Sequence, residues 1–192
     1  MILTKEYLNS IAIQKSASGF SASRTITENM RFDADQTYDL FISHSYLDKT
    51  QVAVLFELFK KHGYNVYVDW KDDALSSRDN VTAETANKLK THMRKSKGLA
   101  YITSKNASNS RWCPWELGYM DGKKGRCAIF PIFDKGNIYE FEGEEYLGLY
   151  PYIDYDTIEG RSEYEFWVND PNEIEKPQVL RDWLARNENN VR

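Results

Sequence analysis

Two cysteines in 192 residues, Cys113 and Cys127, are too few for a disulfide framework and too few for a zinc set. Basic charge is not in excess. Lys and Arg number 25 against 29 Asp and Glu, a formal net charge of −4 with a pI near 5.5, which speaks against a general nucleic-acid binder. No apolar run approaches the roughly 18 residues of a membrane span, and mean hydropathy is −0.65. The opening MILTKEYLNS lacks the long apolar stretch of a secretory leader. The expectation is a soluble protein of a reducing cytoplasm, with neither membrane nor nucleic acid as partner. Catalytic signatures are missing too. No G-x-G-x-x-G follows the first strand, no Walker A sequence exists, and there is no nucleophile elbow. The three histidines, His44, His62 and His92, are too scattered for a metal cluster, so no metal is expected.

What is present is enough apolar surface for a packed core: 41% hydrophobic residues, 14% of the chain aromatic. Leu3, Tyr7 and Ile11 at helical spacing predict a short amphipathic helix over residues 2–13, followed by a small, polar linker over 16–23. From residue 38 strands and helices alternate. Tyr38–Ser43, Tyr64–Asp69, Leu99–Thr103 and Ala128–Phe133 read as strands. Residues 50–61, 81–95 and 109–124 read as helices or loop-then-helix, with Gly63 ending the first and Pro114 suited to the first turn of the last. Pro131 suggests an edge or a bulge in its strand. Residues 146–155 can add a strand, and Leu180, Trp183 and Leu184 mark a terminal helix. Strands joined by 10–15-residue helices imply right-handed crossovers, hence an α/β/α domain in three layers on a mostly parallel sheet. The domain itself is expected at 38–157, with an N-terminal extension over 1–37 and a C-terminal one over 158–192.

In such a sheet, ligands bind outside the carboxyl ends of the strands. That edge should gather Ser43, His44 and Ser45 from the first strand, Asp69 and Trp70 from the second, Thr103 and Ser104 from the third, and Trp112, Cys113, Trp115 and Glu116 from the segment after it. The set is polar, aromatic and carboxylate-bearing, which suits a nucleotide better than a metal.

The string SRWCPWELGYMDG, residues 110–122, resembles the S-x-W-C-x-x-E-L signature of TIR (Toll/interleukin-1 receptor) domains, and YDLFISHSYLD resembles the first box of that family. The resemblance covers about residues 38 to 155. It implies a flavodoxin-like fold. The family includes assembly scaffolds and enzymes that cleave NAD at the nicotinamide–ribose bond, and in the enzymes the Glu of W-C-x-x-E is catalytic; that position is Glu116 here. It further implies nucleotide contacts from Ser43, His44 and Ser45, self-association through TIR surfaces, and NAD as substrate, with no added cofactor. The loop 71–80, KDDALSSRDN, resembles the mobile loop that gates the family's pocket and mediates self-association; Arg78 stands where a glycine is frequent, which implies either a less flexible loop or an Arg that meets phosphate. A stand-alone domain of this kind resembles bacterial TIR NADases of anti-phage (Thoeris-like) defence, whose nucleotide product signals to a separate effector protein.

The chemistry has a use for such a carboxylate. Nicotinamide in NAD is a cationic pyridinium and leaves neutral, so the acid of a glycosidase pair is unnecessary. Positive charge develops on the ribose, and one carboxylate beside its hydroxyls stabilises that charge. Each residue also has a plainer role. A Glu two residues after Pro114 can serve the helix dipole. Ser43, His44 and Ser45 can be turn chemistry, and Asp48 and Thr50 can cap the next helix. Trp70 can stack on adenine or nicotinamide or simply cover the sheet edge, Trp112 and Trp115 can be core or interface aromatics or a pocket wall, and Phe166-Trp167 is assigned to packing.

Charge is divided along the chain. Residues 86–126 hold ten basic and two acidic residues, whereas 134–175 hold two basic and thirteen acidic. These are either two solvated faces or the poles of a molecule that stacks head to tail with its copies. The rival to an enzyme is therefore a TIR scaffold acting by self-assembly. A phosphoacceptor domain fits poorly, because the third strand ends in Thr103-Ser104 without an Asp.

Overall fold

The computed structural model describes residues 3–16, 19, 21–22, 24–25, 36–69, 83–133, 145–158, 162–171 and 177–186. Helix α1 (Lys5–Ser16) precedes β1 (Tyr38–Ser43). A 3₁₀ turn at Tyr46–Asp48 leads into α2 (Lys49–Lys61), then β2 (Val66–Val68), α3 (Ala83–Lys95), β3 (Ser96–Thr103), α4 (Trp112–Lys124) and β4 (Cys127–Pro131). Strands β5 (Tyr152–Thr157), β6 (Tyr164–Asn169) and β7 (Gln178–Val179) and helix α5 (Leu180–Ala185) follow.

The seven strands form one sheet in the order β2-β1-β3-β4-β5-β6-β7. Pairing is parallel from β2 through β5 and antiparallel from β5 to β7. The order 2-1-3-4-5 is that of a flavodoxin-like sheet. Strands β6 and β7 are an addition that the alternation pattern did not anticipate, and β3 starts three residues earlier than its apolar run.

Both faces of the sheet are covered, which is why β1 and β3 read as unbroken apolar runs. Period-two alternation sorts their side chains. Leu40, Ile42, Ala100, Ile102 and Phe130 pack with α1, α2 and α5 on one face; Phe41, Leu99, Tyr101, Cys127 and Ile129 pack with α3 and α4 on the other. Phe166 of β6 is fully buried and stacks on Phe59 of α2, centroids 4.2 Å apart, so β6 closes the first core.

Two expectations are corrected. In α1 the buried residues are Leu8 and Ala12, with Ile11 partly buried, while Tyr7 is exposed; the helix begins at Lys5, and Leu3 reaches the core from ahead of it. Pro131 lies in an interior strand and in unbroken register with Thr103 of β3, so it marks neither an edge nor a bulge. It is tolerated because it is the last residue of β4 and β4 pairs with β5 only through Ile129↔Tyr152. The next N–H, that of Ile132, bonds to Thr103 of β3, so the missing donor of Pro131 falls on the side where the ladder has already ended.

One glycine is required by close approach. A Cβ on Gly98 would sit 3.0 Å from the carbonyl of Arg126 and 3.0 Å from Leu184 Cδ2. There α5 closes onto the amino ends of β3 and β4, and the buried Arg126 guanidinium donates to the carbonyls of Leu184 (3.0 Å) and Arg186.

Candidate active site at the carboxyl edge of the sheet

Ser43 is the last residue of β1 and shares the face of Phe41, the face that α4 covers. On α4, Cys113, Glu116, Leu117 and Met120 are buried, the i, i+3, i+4, i+7 stripe of a helix packed on a sheet. The two patterns make Ser43 and Glu116 meet. Ser43 Oγ donates to Glu116 Oε2 at 2.6 Å, with the residues 1% and 6% exposed. A hydrogen bond to a carboxylate in so dry a place is of the strong, charge-assisted kind.

The helix-dipole role of Glu116 is weakened by its place. It is the fifth residue of α4, and the first turn of α4 carries no acidic residue. The dipole acts mainly within the first turn. A carboxylate one turn further in, buried against a strand end, loses solvation that a surface helix residue would keep.

The neighbours are aromatic. Trp112, first in α4, is half-buried and meets Trp115 edge-on at 5.2 Å; Trp115 stacks on Tyr119 at 5.9 Å, and the Lys90 ammonium lies 5.8 Å from both of those rings. Cys113 is buried and packed, with its backbone N–H donating to Ser110 Oγ at 3.3 Å. On β2, Tyr67 alternates with the inward Val66 and Val68 and so falls on the α4 side with Asp69. Its ring lies between Phe41 (5.3 Å) and His92 (3.9 Å, 13° between planes). Burial first, then the charge of Asp69, then Tyr38 and Glu116, push the Tyr67 phenol far above its usual range. His92 is pushed down to about 4, by burial first and then by Lys88 and Lys95.

Of the residues expected at this edge, Ser43 and Glu116 are joined directly. Ser45 is buried in the same turn, and His44 is half-buried with Nδ1 3.5 Å from the Ile42 carbonyl. Asp69 lies just beyond β2, within electrostatic reach of Tyr67. Trp112 heads α4, one turn before Glu116. Trp70 and Arg78 fall outside the described residues. Two groups were not among the expected site residues. Tyr67 was legible only as an alternate position in YNVYVD. Asp48, a cap candidate by sequence, occupies the N-cap position of α2 but makes no side-chain cap bond. Its carboxylate turns instead to the loop after β3, accepting from Ser104 Oγ and from Asn106 Nδ2 (2.7 Å).

Among the described residues, no group of three or more His, Cys, Asp or Glu could hold a metal ion. The arrangement offers the buried Glu116 carboxylate, held by the Ser43 hydroxyl, beside aromatic rings. It can stabilise a cation that forms next to it and accept a proton from a hydroxyl.

The family model described as TIR domain matches residues 40–166. A relative in Bacillus cereus strain MSX-D12, named a probable 3' cyclic ADP-D-ribose synthase, ThsB', is 39% identical over 181 residues, covering 92% of each chain. A protein of Cytobacillus dafuensis named as a cyclic ADP-D-ribose synthase, TIR2, is 33% identical over 85 residues, which are 44% of this chain and 22% of that one. Among solved structures, the TIR domain of the Toll-related receptor TRR-2 from Hydra magnipapillata aligns over 58% of this chain and 78% of its own, with a TM-score of 0.42 and 19% identity.

Proposed function

The chain belongs to the TIR-domain family, and from that premise we propose that it is an enzyme that cleaves the nicotinamide–ribose bond of NAD and closes the remaining ADP-ribose into a cyclic nucleotide. The observation that carries the reading is the buried Glu116 carboxylate held by Ser43 at the carboxyl edge of the sheet. Its kinship over 92% of the chain with a protein named for cyclic ADP-D-ribose synthesis supports the product class.

The bond between C1 of the ribose and the pyridinium nitrogen breaks with both electrons going to nitrogen. Nicotinamide therefore leaves neutral. The ribosyl cation left behind is stabilised by Glu116, whose charge is little screened in so buried a place. Ser43 keeps the carboxylate aimed. An oxygen of the same molecule then attacks the cation and loses its proton, to Glu116 and onward to solvent. The balance is NAD in, nicotinamide, cyclic ADP-ribose and one proton out. Water as acceptor would give linear ADP-ribose instead, so exclusion of water decides the product. The aromatic side chains of α4 supply that dryness, and Ser45, His44, Asp69, Trp70, Arg78 and Trp112 are the residues proposed to bind the nucleotide. No helix among the described residues is long and apolar enough to cross a membrane. A cytoplasmic setting, anti-phage signalling and a separate effector that reads the product belong to the same proposal.

The test is a chromatographic assay of the purified chain with NAD, beside the Glu116→Gln variant, following nicotinamide and the mass of the adenine-containing product. Wild type should release nicotinamide and yield a product lighter than ADP-ribose by one water, and the variant should do neither. If neither protein releases nicotinamide even under crowding that drives self-association, the chain acts as a TIR scaffold.

A further inference from the structure

Asp48 is 1% exposed and stands five residues after Ser43, in the turn that carries Ser43, His44 and Ser45. An Asp at an N-cap ordinarily satisfies the exposed amides of its own helix. This one does not. One oxygen accepts from Ser104 Oγ, and the other accepts from Asn106 Nδ2 at 2.7 Å, with the Lys5 ammonium of α1 at 3.8 Å. Ser104 Oγ in turn accepts the backbone N–H groups of Asn106 and Ala107, both at 3.1 Å. The Asp48 amide closes its own turn on the Ser45 carbonyl at 3.0 Å. One buried carboxylate therefore bolts the turn after β1 to the segment after β3, and that segment runs directly into α4 and Glu116.

Burying a carboxylate is costly unless hydrogen bonds replace its water. A cap on the surface would stabilise α2 without that cost. Turning Asp48 inward gives up the cap in exchange for a fixed distance between two loops. That distance sets how Ser43, at the end of β1, meets Glu116, in the second turn of α4. A misplacement of about 1 Å at a reacting centre can cost about a hundredfold in rate.

We propose that Asp48 is a positioning residue for the reaction: through Ser104 and Asn106 it holds the Ser43–Ser45 turn and the segment that delivers Glu116 in one relative placement. The proposal rests on the enzymatic reading above. Asp48 itself touches no reacting atom.

The test uses the full chain as wild type, Asp48→Asn, and the reciprocal double variant Asp48→Asn with Asn106→Asp. In the double variant the amide of residue 48 can donate to the carboxylate of residue 106 and still accept from Ser104, so the bolt is rebuilt with its charge moved. Asp48→Asn should lower kcat roughly tenfold to a hundredfold with a smaller change in KM, and the double variant should recover most of the loss. Amide hydrogen exchange on the same proteins needs no activity. In Asp48→Asn it should speed up together in residues 43–47 and 104–112, and the double variant should reverse it. A folded Asp48→Asn protein with wild-type kcat overturns the proposal. So does faster exchange confined to the first turn of α2, which is the mark of a lost cap, or a loss of kcat that the reciprocal exchange leaves unrepaired. Wild type that releases no nicotinamide overturns the enzymatic reading instead, and the exchange data still report whether the two loops move as one.

Discussion

Ser43 Oγ and Glu116 Oε2 lie 2.6 Å apart although 73 positions separate the residues in the chain. The bond joins the end of β1, the strand next to the β2 edge, to the second turn of α4. It fixes the carboxylate's rotamer and gives it a donor that water would otherwise supply.

Removing that donor should cost rate more than affinity. Ser43→Ala is expected to lower kcat for nicotinamide release roughly tenfold to a hundredfold, the scale of one hydrogen bond to a charged group, about 1.5–3 kcal/mol, with KM for NAD changed less. Steady-state kinetics at saturating and limiting NAD separate the two. An equal loss confined to KM would place Ser43 on the substrate rather than on Glu116.

Glu116→Gln should uncouple activity from stability. The amide oxygen can still accept from Ser43, while the buried charge is gone. Nicotinamide release should fall by roughly 10²- to 10³-fold, the cost of losing one charge-stabilising group. The thermal midpoint should stay level or rise, because a site built for chemistry holds a group that packing alone would not choose. Calorimetry beside the activity assay checks both; a variant that melts well below wild type would mark Glu116 as structural.

His92 predicts a direction for stability against pH. It is 2% exposed, and its folded value lies at about 4 against 6.5 for the free side chain. Below pH 6.5 the unfolded chain takes up a proton that the folded chain refuses, so its contribution is intact above 6.5 and is lost as pH falls towards 4. The loss should reach on the order of 3 kcal/mol across that window. Urea titrations at stepwise pH should show it, and His92→Phe, which keeps a ring against Tyr67, should flatten that part of the profile. An unchanged slope in the variant would assign the acid sensitivity elsewhere.

Phe166 tests whether β6 belongs to the main core. It is fully buried and stacks on Phe59 from the far half of the sheet. Phe166→Ala should cost about 3–5 kcal/mol in denaturant unfolding. A cost below about 1 kcal/mol would mean that β6 and its neighbours can peel away without disturbing α2.

Much of the architecture was legible from residue order. β1 follows the compact run YDLFIS, α2 and α4 follow their apolar stripes, and α5 follows Leu180, Trp183 and Leu184. Each of these signals is local: a buried strand needs a continuous apolar run, and a helix on a sheet needs one apolar stripe. Strands β6 and β7 were less legible, because residues 164–169 mix charged and aromatic side chains on a strand whose two faces differ in burial. Pro131 misled because a proline's tolerance depends on which neighbour its missing N–H would have faced.

The sequence by itself determined the α/β layering, the edge at which strands end in Ser43, Asp69 and Thr103, and Glu116 as the carboxylate to consider. Only the tertiary structure decided who meets whom: Ser43 with Glu116, Tyr67 between Phe41 and His92, and Asp48 with Ser104 and Asn106 rather than with its own helix. The physical reason is that periodicity along a chain states which face a side chain takes. The partner on that face is set by strand register and helix docking, and those arise from packing between segments far apart in sequence.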